Sequence, residues 1–166
     1  MKKLLIILIL LLLPALCFAE TYTVERVING DTFKLTNGET VRLIGVDSPE
    51  IDTGEGKKVT EFTKMLAEGK MVFLEFDVEK RDRHGRLLAY VYIDTGMPEN
   101  GHFLLKTALI FAYVNYSGKS CLFLNAAIIG NGYATPMTIP PNVKYADLFK
   151  KLYQEAREDK RGLWRE

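Results

Sequence analysis

From Thr21 to Ile28 the chain reads TYTVERVI, a mixed apolar and polar run in which Tyr22, Val24 and Val27 can share one face. Such a run of β-branched and aromatic residues predicts a strand. Asn29-Gly30-Asp31 reads as a turn, Thr32 to Thr36 as a second strand, and Asn37-Gly38 as a tight hairpin into a third, Glu39 to Gly45. A loop follows from Val46 to Gly56. Lys57 to Glu68 then carries Val59, Phe62, Met65 and Leu66 at helical spacing, and Gly69 ends it. Met71 to Val78 alternates, with Val72, Leu74, Phe76 and Val78 on one face and Met71, Phe73, Glu75 and Asp77 on the other. A charged turn, Lys80 to Arg86, leads into a fifth strand from Leu87 to Ile93.

Three strands, a helix and two strands predict an α+β fold built on a five-stranded OB-fold β-barrel, because closing so small a sheet removes its exposed edges. C-terminal helices follow. Phe123 to Asn131 reads as a short helix ended by Gly132. Tyr145 to Asp159 has an apolar stripe of Tyr145, Leu148, Phe149, Leu152, Tyr153 and Ala156, with Asn142 as candidate N-cap and Gly162 as a stop. Leu163 and Trp164 are expected to fold back onto the core. Thr95 to Ser120 stands apart as an insertion. It opens on turn residues and turns almost wholly apolar from Phe103 to Val114, which suits an extra hairpin or a hydrophobic flap.

The first 19 residues do not fit this domain. Lys2 and Lys3 precede an unbroken apolar run from Leu4 to Leu13, broken by Pro14 and followed by Cys17-Phe18-Ala19. This is the layout of a secretory signal peptide cleaved after Ala19, leaving residues 20–166 as the domain. The run is shorter than the roughly 20 apolar residues of a spanning helix, so a membrane anchor is disfavoured and a soluble, exported protein, periplasmic or extracellular, is expected. Removal of Lys2 and Lys3 leaves 20 of the 22 basic residues against 21 acidic ones. With no general basic coat, any hold on a polyanion must come from a few placed arginines. Cys121 is then the one remaining cysteine and cannot form an internal disulfide. Among Leu122, Phe123 and Leu124 it reads as a buried thiol.

Charge gathers at predicted turns: Asp31, the stretch VRLIGVDSPE (Val41 to Glu50), and Arg81 to Arg86. Asp31, Asp47 and the carbonyl of Ser48 would make a sparse oxygen cage for a hard divalent cation such as Ca²⁺, with positions left for water and substrate. Glu50 could hold water or accept its proton. Arg42 and Arg86 carry the planar fork that grips phosphate oxygens in pairs. Together these residues form a kit for phosphoryl chemistry. Each also has an ordinary reading: Asp31 and Asp47 as turn aspartates, Glu50 as a solvated loop charge, Arg42 as an exposed strand residue, Arg81, Arg83 and Arg86 as a solvated charged turn, and His84 as a surface residue.

The pieces VINGDTFKL, VRLIGVDSPE, KRDRHGRLLAYVY, the Leu124-Asn125 helix start and EAREDKRGLW, in this order, resemble the staphylococcal-type nuclease (thermonuclease) family over most of residues 22–94 and 121–164. The resemblance implies an OB-fold barrel with C-terminal helices, and an endonuclease that hydrolyses DNA and RNA with Ca²⁺ to leave 3′-phosphates. It implies Asp31, Asp47 and the Ser48 carbonyl as calcium ligands, Glu50 as general base and Arg42 and Arg86 as phosphate-binding residues. Arg83 and His84 fall where the family can offer a lysine and a tyrosine to the substrate. A monomer with no lasting membrane association is expected. The family's base-side tyrosines have no match in Met137-Thr138-Ile139-Pro140. The competing reading is an OB-fold nucleic-acid-binding module without catalysis; the intact set Asp31, Arg42, Asp47, Glu50 and Arg86 argues against it.

Overall fold

The computed structural model describes residues 20–96 and 112–165. The predicted leader and the insertion's residues 97–111 therefore lie outside the described residues. Strands β1 (Thr21–Asn29), β2 (Thr32–Leu35) and β3 (Thr40–Leu43) form the antiparallel meander. A two-residue strand β4 (Val46–Asp47), helix α1 (Gly54–Ala67), β5 (Met71–Glu75) and β6 (Leu87–Asp94) follow. β5 pairs antiparallel with both β1 and β6, and β6 closes the ring by running parallel to β3. Five strands thus form a closed barrel, as the strand order predicts.

Closure explains several residues that alternation alone misplaces. Val24 and Val27 are both buried although three apart, because β1 pairs with β2 through two irregular registers. Such bulges reset which face a residue takes. Phe73 was expected on the face opposite Val72, yet both are buried. The second face of β5 is covered by a hairpin, β7 (Tyr113–Tyr116) and β8 (Lys119–Phe123), whose inner strand pairs with β6. Tyr116 packs on Phe73 and stacks on Tyr92 at 4.0 Å between ring centroids. Of the two readings of the insertion, its described C-terminal part is the extra hairpin. Cys121 in β8 is fully buried, and burial pushes its thiol up to about 11, so it stays protonated and unreactive at neutral pH.

Helix α1 starts three residues earlier than the stripe suggests. Thr53 caps it, its hydroxyl accepting from the Gly56 N–H at 2.9 Å. The inward face is Gly56, Val59, Thr60, Thr63 and Ala67, whereas Met65, expected in the apolar stripe, is exposed. The two buried threonines are satisfied by the carbonyls of Gly56 and Gly30, which lets polar residues serve on a core face.

Helix α2 (Leu124–Gly130) is buried along its whole length. Helix α3 (Ala146–Glu158) buries Phe149, Leu152 and Ala156, while Leu148 from the expected stripe is partly exposed. Asn142 is not its N-cap. Tyr145 holds that position without a side-chain bond, and the Asn142 amide instead clamps Glu79, accepting its N–H and donating to its carbonyl at 2.9 Å each. A paired long-range clamp outcompetes a single capping bond here. Gly162 does not end α3 either, which stops at Glu158; it opens a 3₁₀ turn (Gly162–Trp164). An added Cβ there would lie 2.3 Å from the Asn131 carbonyl oxygen, so only glycine allows the tail to seat. Leu163 packs on the core and Trp164 meets Tyr153 edge-on, as expected of a tail that folds back.

Candidate active site

The turn between β1 and β2 buries the Asp31 side chain to 7% exposure. A carboxylate in such a place needs partners. Its Oδ2 accepts the Ser48 N–H at 3.1 Å and the Ser48 hydroxyl at 2.8 Å, and its Oδ1 accepts the Thr32 hydroxyl at 2.8 Å. Arg42 Nε stands 3.3 Å from Oδ1. Gly30 makes this approach possible: a Cβ there would lie 2.7 Å from the Ser48 Cβ and 2.4 Å from a Val59 methyl. The β1–β2 turn, the Asp47-Ser48 strand end and helix α1 thus meet at one backbone point.

Arg42, opposite Thr32 in the β2–β3 ladder, does more than point at a ligand. Its Nη1 donates to the carbonyls of Leu43 at 2.8 Å and Val46 at 2.6 Å, stapling the strand end that carries Asp47. Its Nη2 lies 4.0 Å from Asp47 Oδ1, whose side chain is 54% exposed. One guanidinium therefore sits between a buried and an open carboxylate. The same loop is held from its far side, because β4 pairs with β9 (Thr135–Pro136), Asp47 opposite Thr135.

Glu50 is exposed, and its backbone is pinned. Its carbonyl accepts the Thr53 N–H at 3.0 Å and the Thr53 hydroxyl at 2.7 Å. Gly56 packs so close that a Cβ would fall 1.9 Å from that carbonyl oxygen. The corner at Pro49 is thus built in part by the start of α1. Thr53 and Gly56 are not among the candidate residues that the sequence suggests; a threonine just before the helix, with Glu55 in its first turn, is the signal that marks the cap.

Arg86 is anchored at one atom only. Its Nε donates to Asp82 Oδ2 at 2.7 Å, and its terminal nitrogens meet no protein partner among the described residues. Asp82 Oδ1 also accepts the N–H groups of His84 and Arg86. Burial pushes the Asp82 carboxyl up, but the Arg86 guanidinium and these two amides outweigh it and hold its pKa below the ordinary aspartate value. Arg42, Arg83, His84 and Arg86 line one open cavity of about 540 Å³, with Met137 and Ile139 on its wall. Arg81 also lines it but is spent on a two-bond pair with Glu39, at 2.8 Å each, and on the Gly85 carbonyl. Arg83 Nε donates to the His84 ring at 3.2 Å.

The structure thus joins Asp31, Arg42, Asp47 and Ser48 through direct contacts, and Arg42, Arg83, His84 and Arg86 around one cavity, with Arg42 common to both. Glu50 lies three residues past Asp47 and makes no side-chain contact with the others. No cluster of three or more His, Cys, Asp or Glu able to hold a metal occurs among the described residues. A cation here would rest on two carboxylates and a backbone carbonyl, completed by water and substrate oxygens. That donor set suits a hard divalent ion. The Arg42 guanidinium near both carboxylates marks the place as one that accepts positive charge.

The profile of the family described as "Staphylococcal nuclease homologue" matches residues 40–166, well over half of the chain. The chain belongs to the staphylococcal nuclease family. Within it, a thermonuclease of Staphylococcus intermedius is 32% identical over 154 residues, spanning 87% of this chain and 76% of that protein. An endonuclease of Bacillus subtilis, the SPbeta prophage-derived YokF, is 33% identical over 86% of this chain but only 43% of its own length. An uncharacterized endonuclease of Escherichia coli is 30% identical over 91% of this chain and 81% of its own. For a staphylococcal nuclease homologue, the barrel with helices packed at its end is the fold that the resemblance implies.

Proposed function

We propose that this chain is an exported, monomeric endonuclease that hydrolyses DNA and RNA phosphodiester bonds with little sequence specificity, uses Ca²⁺, and leaves 3′-phosphates. The single observation that carries the reading is the Arg42 guanidinium. It is held within contact range of both Asp31 and Asp47, and it opens on the cavity that Arg86 enters with free terminal nitrogens. The thermonuclease and endonuclease names of the relatives support the same chemistry, and the leader pattern of Lys2 to Ala19 supports export.

In this mechanism Asp31, Asp47 and the Ser48 carbonyl would hold the cation, which when bound supplies positive charge beside the scissile phosphate. Arg86 and the Arg42 Nη2 take the non-bridging oxygens, and Arg83 and His84 extend that hold at the cavity rim. Glu50, exposed on a pinned backbone, accepts a proton from water as that water's oxygen bonds to phosphorus. The bond from phosphorus to the 5′-oxygen breaks, its electron pair leaves with that oxygen, and the alkoxide is protonated from solvent. Phosphate stays on the 3′ side. Charge on the five-coordinate phosphorus is greatest midway, so two guanidiniums fixed beforehand stabilise that state more than the substrate. Contacts to phosphate carry no base information, which accounts for weak sequence selectivity.

The test is digestion of plasmid DNA and of RNA by purified protein with Ca²⁺ and then with a chelator. Both polymers should be cut with Ca²⁺, should survive with chelator, and should carry 3′-phosphate ends. A folded protein that binds nucleic acid and cuts neither is the binding module instead.

A further inference from the structure

Beside the arginine cavity lies a second recess that the reaction above does not use. It is an open groove of about 580 Å³, lined by Pro136, Lys150, Tyr153, Gln154, Arg157 and Glu158. Positions 150, 153, 154 and 157 fall on one face of α3 by their three- and four-residue spacing. Lys150 is exposed and has no ion-pair partner among the described residues. Arg157 has none either, and its guanidinium is stacked 5.8 Å from the Tyr153 ring centroid and 5.4 Å from that of Trp164. By contrast Lys151, on the next row, is paired with Glu155 at 3.8 Å. Glu158 is the one acid in the groove.

The groove adjoins the arginine cavity through two successive residues. Pro136 lines the groove and its neighbour Met137 lines the arginine cavity, with the Met137 N–H bonded to the Gly45 carbonyl at 3.1 Å. Helix α3 is pressed on the same corner: a Cβ on Gly45 would lie 2.6 Å from the Phe149 ring. Lys150 and Tyr153 line the groove with Pro136, one residue before the Met137 of the cavity wall. Two unpaired cations beside an aromatic ring are the elements by which single strands are held without sequence preference.

We propose that this groove is a second contact site for the substrate strand, gripping the sugar-phosphate backbone of single-stranded DNA or RNA a few nucleotides from the scissile bond. The proposal rests on the nuclease reading. Lys150 and Arg157 take phosphate oxygens, and the Tyr153 ring, braced by Arg157, gives a nucleoside an apolar surface. A strand long enough to fill both recesses is held more tightly than a short one, and that gain depends on salt.

The test compares KM for a single-stranded DNA of about 20 nucleotides with KM for a dinucleotide, in the parent protein, Lys150→Glu, and Lys150→Glu combined with Arg157→Gln. The advantage of the long strand should shrink about tenfold in Lys150→Glu, and the slope of log KM against log salt should fall by about one for each lost phosphate contact. An unchanged length advantage, or an equal change for both lengths, overturns the proposal. Arg157 also packs on Trp164, so Lys150→Glu, at an exposed position, decides the matter if the double variant fails to fold. Fluorescence anisotropy with a phosphorothioate oligonucleotide reads the groove independently of cleavage. If the parent cuts nothing, the nuclease reading falls, while a tenfold weaker oligonucleotide affinity in Lys150→Glu still supports the groove and an unchanged affinity still overturns it.

Discussion

Arg86→Ala slows cleavage at saturating substrate at least about a hundredfold, a loss of roughly 2.7 kcal/mol of transition-state stabilisation. The size follows from how the side chain is held. One nitrogen is fixed by Asp82, whose second oxygen is occupied by two backbone N–H groups, so the guanidinium is oriented before substrate arrives. Its terminal nitrogens have nothing else to bind among the described residues. Alanine removes a preorganised cation and costs little stability, since the Asp82 pair is a partly exposed i,i+4 contact. Arg86→Lys recovers only part of the rate, because an ammonium cannot engage Asp82 and two phosphate oxygens in one plane. Stopped-flow rates with unfolding curves for each variant check this; near-parental cleavage by Arg86→Ala would remove Arg86 from the mechanism.

Asn125→Ala is expected to cost about 3 to 5 kcal/mol of folding stability, a large share of the roughly 5–15 kcal/mol of an ordinary domain. Asn125 is fully buried at the barrel's closing seam. Its Oδ1 accepts the Val91 N–H at 2.9 Å, and its Nδ2 donates to the carbonyls of Ile44 at 2.8 Å and Ala89 at 3.4 Å. Ala89 keeps the Ile44 N–H as a partner, but Val91 N–H and Ile44 C=O would be orphaned in the core. Asn125→Asp should be no better, because it retains one acceptor and turns a buried carboxylate toward two carbonyl oxygens. Urea unfolding measures the loss; less than about 1 kcal/mol would mean that water or a backbone shift replaces the amide. Activity should fall in proportion to the unfolded fraction, since the seam also sets the Ile44-Gly45 wall of the cavity.

Much of this was legible in the sequence, for physical reasons that differ by element. The meander could be read because its turns carry Asn-Gly and its strands are short and β-branched. The pairing of Asp31 with the Asp47-Ser48 strand end could be anticipated because acids at strand ends of a small barrel converge on one rim. The structure adds that Ser48 binds Asp31 through both its N–H and its hydroxyl. What could not be read depends on partners distant in the chain. Phe73 is buried on the second face of β5 by a hairpin some forty residues later. Asn142 looks like a cap until Glu79 stands beside it. The sequence offers Arg42 as a phosphate ligand or an exposed strand residue, yet its side chain is mostly buried, Nε and Nη1 are used to build the loop, and Nη2 faces Asp47 at 4.0 Å. That dual use predicts that Arg42 variants lose structure and activity together, unlike Arg86 variants.

The central claim is that the carboxylates and guanidiniums of this rim are a hydrolytic site with Glu50 as its base. The most direct test is the single-turnover rate of oligonucleotide cleavage with Ca²⁺ for the parent and for Glu50→Gln. Glutamine keeps the size and the pinned backbone carbonyl but accepts no proton at neutral pH. Glu50→Gln is expected to fold and bind substrate like the parent and to cleave at least about a hundredfold more slowly. Equal rates in a folded, calcium-supplied Glu50→Gln would contradict it.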